Sequence, residues 1–378
     1  MSSLHGMENG ILTTLPPNLI TNLSGNWYDY EEEDEDVEED YMEIENFMHI
    51  LSMVFYSIAF LLGVTGNGLV IWITSFKMKR TVNTVWFLNL AIADFIFTFF
   101  LPLSIAYTAL GFHWPFGMLL CKLNSFVAFL NMFASVFLLM VISIDRCLSV
   151  ASPVWSQNHR SSKLASLVAL VVWCLALALS SPYLAFRDTR SSYNIYRNST
   201  VTHCYNNFAF SDDNTSERIQ YLKAMRHRTM IIARFVCGFF IPFIVIIVCY
   251  SIIALRLKKN RLAKKSKPFK IIVAVIVSFF FCWLPYHIFS FLETTTHSSP
   301  SSTMMRAIII GIPLASSLAF INSCINPILY VFIGQDFKEK FKKSILSAFE
   351  SAFSEESAQT SVSKSKCKSI SDAETNFN

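Results

Sequence analysis

Asp94, Arg234 and Glu293 stand within or at the ends of long apolar segments, where a charge is costly and so asks for a function. Asp94 closes Leu-Asn-Leu-Ala-Ile-Ala-Asp, and Asn67, Asn131, Ser135, Asn322, Ser323 and Asn326 each lie near the middle of another such segment. A carboxylate ringed by amide and hydroxyl oxygens suits a hard cation, Na+ by size and charge. The same residues can instead form a buried hydrogen-bonded network around a protonated acid. Arg234, in Ile-Ile-Ala-Arg-Phe-Val, can snorkel to lipid head groups. It can also point a guanidinium into an open bundle mouth, ready for a bidentate carboxylate. Glu293 supplies the opposite sign at that rim, and Arg187 is another cation there, more open than the others to being merely solvated. Aromatic walls with both charges suit a peptide with a free carboxyl end, or an acidic lipid.

A second group gathers at the other end. Ser143-Ile-Asp-Arg-Cys147 places Asp145 beside Arg146, and an acid next to an arginine can form a releasable lock in which Asp145 neutralises Arg146. Cys282-Trp-Leu-Pro285 carries a proline that removes a backbone hydrogen bond and kinks its helix. Asn326-Pro327-Ile-Leu-Tyr330 repeats the device, with a polar partner before the proline and a phenol one turn on.

These residues need elements long enough to cross a bilayer. A hydrocarbon core about 30 Å thick takes roughly 20 residues of helix. Apolar runs at 48–74, 84–107, 118–144, 164–186, 230–255, 270–292 and 304–332 meet that length. Hydrophobic residues make up 53% of the chain and charged ones only 15%, which excludes an ordinary soluble domain. The expected fold is an all-α membrane protein, a seven-transmembrane helix bundle with a short amphipathic eighth helix. The domains read as an acidic disordered extracellular tail (1–46), the bundle (47–333), helix eight (334–349) and a Ser/Thr-rich cytoplasmic tail (350–378).

Charge sets the orientation. Residues 1–46 hold thirteen Asp or Glu and no Lys or Arg, whereas Lys77, Lys79, Arg80 and the run from Arg256 to Lys270 crowd the first and third inner connections. By the positive-inside rule the acidic tail lies outside and the C-terminus in the cytosol. The acceptor sequons at Asn22, Asn198 and Asn214 all fall outside under that assignment. Only Cys121 and Cys204 among nine cysteines fall on outer segments, so these two should pair. Residues 1–20 lack the basic start and apolar core of a cleavable signal.

The acidic run at 28–45 reads as a solvated spacer or as an electrostatic lure for a basic ligand, with Tyr28, Tyr30 and Tyr41 in a context that favours sulfation. Phe337, Phe341, Ile345 and Phe349 recur every fourth residue among lysines, the pattern of a helix lying on the inner leaflet against membrane lipid. Twelve Ser or Thr in residues 344–378 read as a phosphorylation platform or as a plain solubilising tail.

Gly66-Asn67, Asp94, Asp145-Arg146, Trp173, Pro242, the Trp283–Pro285 motif and Asn326-Pro327 fall in seven different helices, in order. That ordered set resembles the rhodopsin-like (class A) G-protein-coupled receptors over roughly residues 45–345. Pro153-Val-Trp-Ser-Gln-Asn-His-Arg160, Phe186-Arg-Asp-Thr189, Lys267-Pro-Phe-Lys-Ile-Ile272 and Gly334-Gln-Asp-Phe337 are similar to the chemoattractant branch, in particular its chemerin receptors. The family's Asp-Arg-Tyr stands here as Asp-Arg-Cys147, a variant shared with that branch. The resemblance implies binding of chemerin through its C-terminal peptide, an inhibitory heterotrimeric G protein as transducer, and arrestin and receptor kinases acting on the tail. It also implies that Arg146 and Tyr330 act as switches, Trp283 as a toggle beneath the pocket and Asp94 as the Na+ ligand. Asn124, Tyr107 and Tyr286 would line the cavity with Arg234, Glu293 and Arg187.

Other classes fit less well. A transporter should carry internal repeats and broken helices with polar midplane sites in corresponding halves. An opsin needs a lysine in the seventh span, and 304–332 has none. An amine receptor wants an acid in the third, and 118–144 contains neither Asp nor Glu. An enzyme would need a nucleophile–base or metal constellation that the sequence does not offer, and no cofactor is called for.

Overall fold

A computed structural model of the chain describes residues 33–194, 199–210, 216–259, 267–295 and 302–333. Helices dominate: α1 (Glu33–Trp72), α2 (Val82–Ala109), α3 (Gly117–Ala151), α4 (Pro153–His159), α5 (Ser162–Phe186), α6 (Glu217–Phe235), α7 (Ile241–Lys259), α8 (Lys267–Thr295) and α9 (Ser302–Ile333). A π-turn at Ile73–Lys77 extends α1, and another at Val236–Phe240 joins α6 to α7 into one continuous crossing. Seven stretches are long and apolar enough to span a membrane, and each overlaps one of the seven expected from the apolar runs. Helix eight and the cytoplasmic tail, expected from residue 334 onward, lie outside the described residues, as do Asn22, Asn198 and Asn214.

Why the seven assemble is visible in what each one buries. Around α3 and α9 most side chains are enclosed, whereas α1 and α5 keep much of their apolar surface outward. Leu167, Leu170, Val171 and Leu175 on α5, and Ile244, Ile247 and Val248 on α7, are exposed in the protein and so face lipid. Apolar surface against lipid gains nothing from association, so contact has to come from close packing and buried polar pairs. Gly63 of α1 illustrates the first, since a Cβ there would sit 2.3 Å from Thr98 Cγ2 of α2. The Trp173 indole of α5 illustrates the second, donating to Asn89 Oδ1 of α2 at 2.9 Å.

Local signals set the element ends. Thr81 and Thr84 form a reciprocal capping box that starts α2, and Ser161 accepts from Leu164 N at the start of α5. α1 begins inside the acidic run, at Glu33, rather than near residue 48. Two elements were not anticipated. One is the seven-residue α4 between the third and fourth spans. The other is an antiparallel hairpin of β1 (Arg187–Asn194) and β2 (Ser199–Asn206), with Thr189 opposite Cys204.

Candidate functional site: an outer cavity and an inner polar end

The hairpin lies over the outer end of α3. Cys121 and Cys204 are disulfide-bonded with Cα atoms 5.8 Å apart, and both sulfurs are buried beside Tyr107 and Trp114. Trp114 N donates to Thr202 O at 2.7 Å, Thr202 N donates to His113 Nδ1 at 3.1 Å, and Lys122 Nζ donates to Leu184 O at 2.9 Å. These bonds fix β1 and β2 as a roof, and the residues at the roots of the hairpin become walls.

Beneath it is a small cavity lined by α3 (Ser125, Phe129), α5 (Tyr183, Phe186), the hairpin roots (Arg187, Asn206), Phe208, and α6 (His227, Met230, Ile231, Arg234). The α6 residues fall at i, i+3, i+4 and i+7, one face of a helix. That stripe, anchored on Arg234, was readable in the sequence and was overlooked. Arg234 is only 3% exposed, its guanidinium 5.1 Å from the Phe129 ring centroid and 4.9 Å from that of Tyr286. It does not snorkel. Among the described residues its Nε and Nη2 atoms are buried without a hydrogen-bond partner. A guanidinium flanked by two ring faces is held by cation–π attraction, yet keeps donors unused.

Arg187 departs from expectation. It is buried rather than solvated, because the hairpin folds back over it, and its Nη1 donates to Asn206 Oδ1 at 3.1 Å. Burial pulls its pKa down from 12.5 to about 10, while Tyr107 and Tyr286 nearby act in the other direction. It therefore remains cationic at neutral pH. Glu293 is buried near the outer end of α8 and interacts electrostatically with Arg234. Tyr286 joins Arg234 to the interior, its ring meeting Trp283 edge-on at 5.6 Å, and Trp283 in turn stands 5.9 Å from Phe279. Tyr107 packs against Phe112 and Trp114, and Asn124 Nδ2 donates to Ser104 Oγ at 3.2 Å; neither lines the cavity.

Midway down, Asp94 is fully buried and accepts from Asn326 Nδ2 at 2.8 Å. Asn131 Nδ2 donates to Ser323 Oγ (2.8 Å), Ser135 Oγ donates to Asn131 Oδ1 (3.2 Å), and Asn67 Nδ2 donates to the Ser323 carbonyl (2.8 Å). The helices thus bring together the polar residues expected around Asp94. Among the described residues the Oδ1 of Asn326, whose amide nitrogen bonds Asp94, is buried without a partner, and an amide oxygen beside a carboxylate is the kind of donor a hard cation uses. Pro327 packs beside this layer, its Cβ 3.0 Å from where a side chain on Gly66 would begin, so any side chain there would press on the proline ring.

The inner end corrects one pairing. Asp145 is held not by Arg146 but by Arg160, at the end of α4: Nε to Oδ1 at 2.8 Å and Nη2 to Oδ2 at 3.0 Å. Consecutive helical residues leave the axis about 100° apart, so Arg146 must bend back to reach Asp145 whereas Arg160 meets both oxygens head on. Arg146 Nη2 donates instead to Asn83 Oδ1, which also accepts from Arg160 Nη2 at 2.9 Å. Asn83 and Arg160 were missed as site residues, since nothing in their spacing ties them to Asp145. The side chain of Tyr330 is outside the described residues. Pro285 lies within α8 one residue before Tyr286.

Seven spans, a disulfide tying the outer loop to the third of them, a buried acid at mid-depth and an Asp-Arg pair at the inner end invite comparison with known sequences. Residues 66–330 match the family model described as 7 transmembrane receptor (rhodopsin family). The chain belongs to the rhodopsin family of seven-transmembrane receptors. Chemerin-like receptor 1 of Homo sapiens is 49% identical over 317 residues, covering 82% of each chain. Chemerin-like receptor 1 of Sus scrofa is 48% identical over 339 residues, 87% of this chain and 90% of its own. Chemerin-like receptor 2 of Macaca fascicularis is 45% identical over 318 residues, 84% and 85% of the two. Members of this family are multi-pass plasma-membrane receptors that couple to G proteins, with the N-terminus outside and the C-terminus in the cytosol, and they are not enzymes.

Proposed function

We propose that this rhodopsin-family receptor binds chemerin, or a chemoattractant peptide like it, by taking the peptide's C-terminal carboxylate into the outer cavity. The observation that carries the reading is Arg234: buried, flanked by Phe129 and Tyr286, and holding two donor atoms without partners. A desolvated cation with spare donors is costly by itself, and a carboxylate would satisfy it with charge-assisted bonds of about 1.5–3 kcal/mol. Arg187 adds a second cation on the same wall, and Glu293, buried near the outer end of α8, would meet a basic or amide group further along the peptide. Tyr286, against Arg234, would flank the bound carboxylate, while Asn124 and Tyr107, which do not line the cavity, would meet only a longer stretch of the peptide.

Binding would then bias a two-state bundle. Contacts on Arg234 reach Trp283 through Tyr286, and Pro285 gives α8 a weak point about which its inner half swings outward. Arg146 is the inner switch, with Asn326, Pro327 and Tyr330 rearranging beside it. Asp94, with Asn131, Ser135, Asn322 and Asn326, holds Na+ in the resting state. The opened cleft, bordered by Arg146, Lys258, Lys259 and Arg261, receives an inhibitory heterotrimeric G protein; receptor kinases and arrestin then act on the Ser/Thr-rich tail. Lys258 is exposed, and Lys259 and Arg261 lie outside the described side chains.

The cavity's apolar walls (Phe129, Phe186, Phe208 and Ile231) also favour a second reading, an acidic lipid mediator with its carboxylate on Arg234. Inhibition of cAMP formation in cells expressing the chain, measured against chemerin C-terminal peptides, formyl peptides and acidic lipids, separates the two. A response to chemerin peptides at lower concentration than to any lipid is expected. Response to a lipid alone would replace the first reading with the second, and silence toward all three would overturn both.

A further inference from the structure

At the inner end, one carboxylate and one amide oxygen serve two guanidinium groups. Arg160 occupies both oxygens of Asp145 and shares Asn83 Oδ1 with Arg146. Among the described residues Arg146 makes that one side-chain hydrogen bond, and its Nε is buried without a partner. Arg146 also feels the Asp145 charge as attraction and the Arg160 charge as repulsion. Two cations thus compete for one acid. The winner comes from the short loop helix, and the loser is the arginine next to that acid in the chain.

We propose that Arg160 is a positioning residue for transducer coupling: by saturating Asp145 it keeps the carboxylate from capturing Arg146, whose guanidinium stays available to a cytosolic partner. Coupling to a G protein is all this needs, so it stands apart from the identity of the ligand. The bidentate fork of Arg160 has the geometry to win, since two parallel charge-assisted bonds outweigh the one contact that a back-bent Arg146 can make. Without Arg160, the nearest cation able to neutralise a half-buried carboxylate is Arg146. The arrangement also latches α4, because Ser149 Oγ and Ser156 Oγ stand 3.2 Å apart beside the pair. Every group the competition needs comes from the inner ends of α2 and α3 and from the residue closing α4.

The decisive feature is epistasis. The full-length receptor in lipid nanodiscs would be assayed for GTPγS loading of purified G proteins from each family, without ligand and with a chemerin C-terminal peptide, and variants compared on whichever family the wild type turns over. Arg160→Ala should lower loading about tenfold, the scale of one competing charge-assisted contact. Asp145→Asn should keep or raise it. The double variant should recover to within about twofold of Asp145→Asn alone, because no acid is left to trap Arg146. Arg160→Lys, which preserves a charge without the fork, should fall between wild type and Arg160→Ala and serves if the alanine variant folds poorly. A double variant as inactive as Arg160→Ala would overturn the proposal, as would full loading by Arg160→Ala. Wild-type loading confined to a G protein other than the inhibitory class would refute that assignment and leave the competition measurable.

Discussion

The two ends of the bundle treat arginine in opposite ways. At the outer end Arg234 lies between two aromatic rings with Nε and Nη2 unpartnered, in a cavity whose walls carry no Asp or Glu. At the inner end Arg160 is tied to Asp145 by two short bonds and to Asn83 by a third, and Arg146 shares that asparagine. Burying a guanidinium costs free energy at either place unless something answers it. The inner end answers Arg160 from within the chain, on Asp145 and Asn83, and leaves Arg146 with Nε over. The outer end answers in part, through the Tyr183 hydroxyl and the Glu293 charge, and leaves two donor atoms over, which fits the ligand site proposed for it. On the proposed function, sensor and switch would be the same type of side chain in two electrostatic contexts.

Breaking the roof should have the largest effect. Cys204→Ala leaves the hairpin unanchored from α3 and exposes Arg187, so surface expression and peptide binding should both collapse, consistent with the 2–5 kcal/mol typical of a native disulfide; flow cytometry and ligand binding would register it. Arg234→Ala should leave expression intact but raise the EC50 for a carboxylate-ended peptide roughly a hundredfold, the scale of a buried charge-assisted contact. Arg187→Ala should cost only about tenfold, since Asn206 already engages that guanidinium and the charge is less free to give. Asp94→Asn sharpens the contrast at mid-depth: agonist affinity should lose its dependence on Na+ while remaining within about threefold of wild type in Na+-free buffer. An unchanged Na+ response there would favour the hydrogen-bonded network over the cation site.

Much of this was legible because lipid imposes coarse rules. A crossing must be a helix of some twenty apolar residues, and any charge inside it must be answered, so the seven spans, Asp94 and Arg234 all stood out. The Cys121–Cys204 bond followed from there being two outer cysteines. What escaped notice was set by tertiary contact. α4 is only seven residues, too short for periodicity to declare itself. β1 reads Arg-Asp-Thr-Arg-Ser-Ser-Tyr-Asn, with no apolar alternation, and is a strand because the disulfide and hairpin pairing make it one. For that reason Arg187 looked like a solvated loop cation and proved to be a buried wall. The Asp145–Arg146 lock was misjudged in the same way, because Arg160, fifteen positions further along, is brought to Asp145 by the turn into α4.

The most direct test pairs one receptor residue with one ligand group. Wild type and Arg234→Gln would be titrated in a cAMP-inhibition assay with a chemerin C-terminal peptide ending in a free carboxylate and with the same peptide ending in a carboxamide. The wild type should prefer the acid strongly, and Arg234→Gln should respond to both forms alike. A variant that keeps the full preference for the acid would contradict the account, because the carboxylate would then be recognised by something other than Arg234.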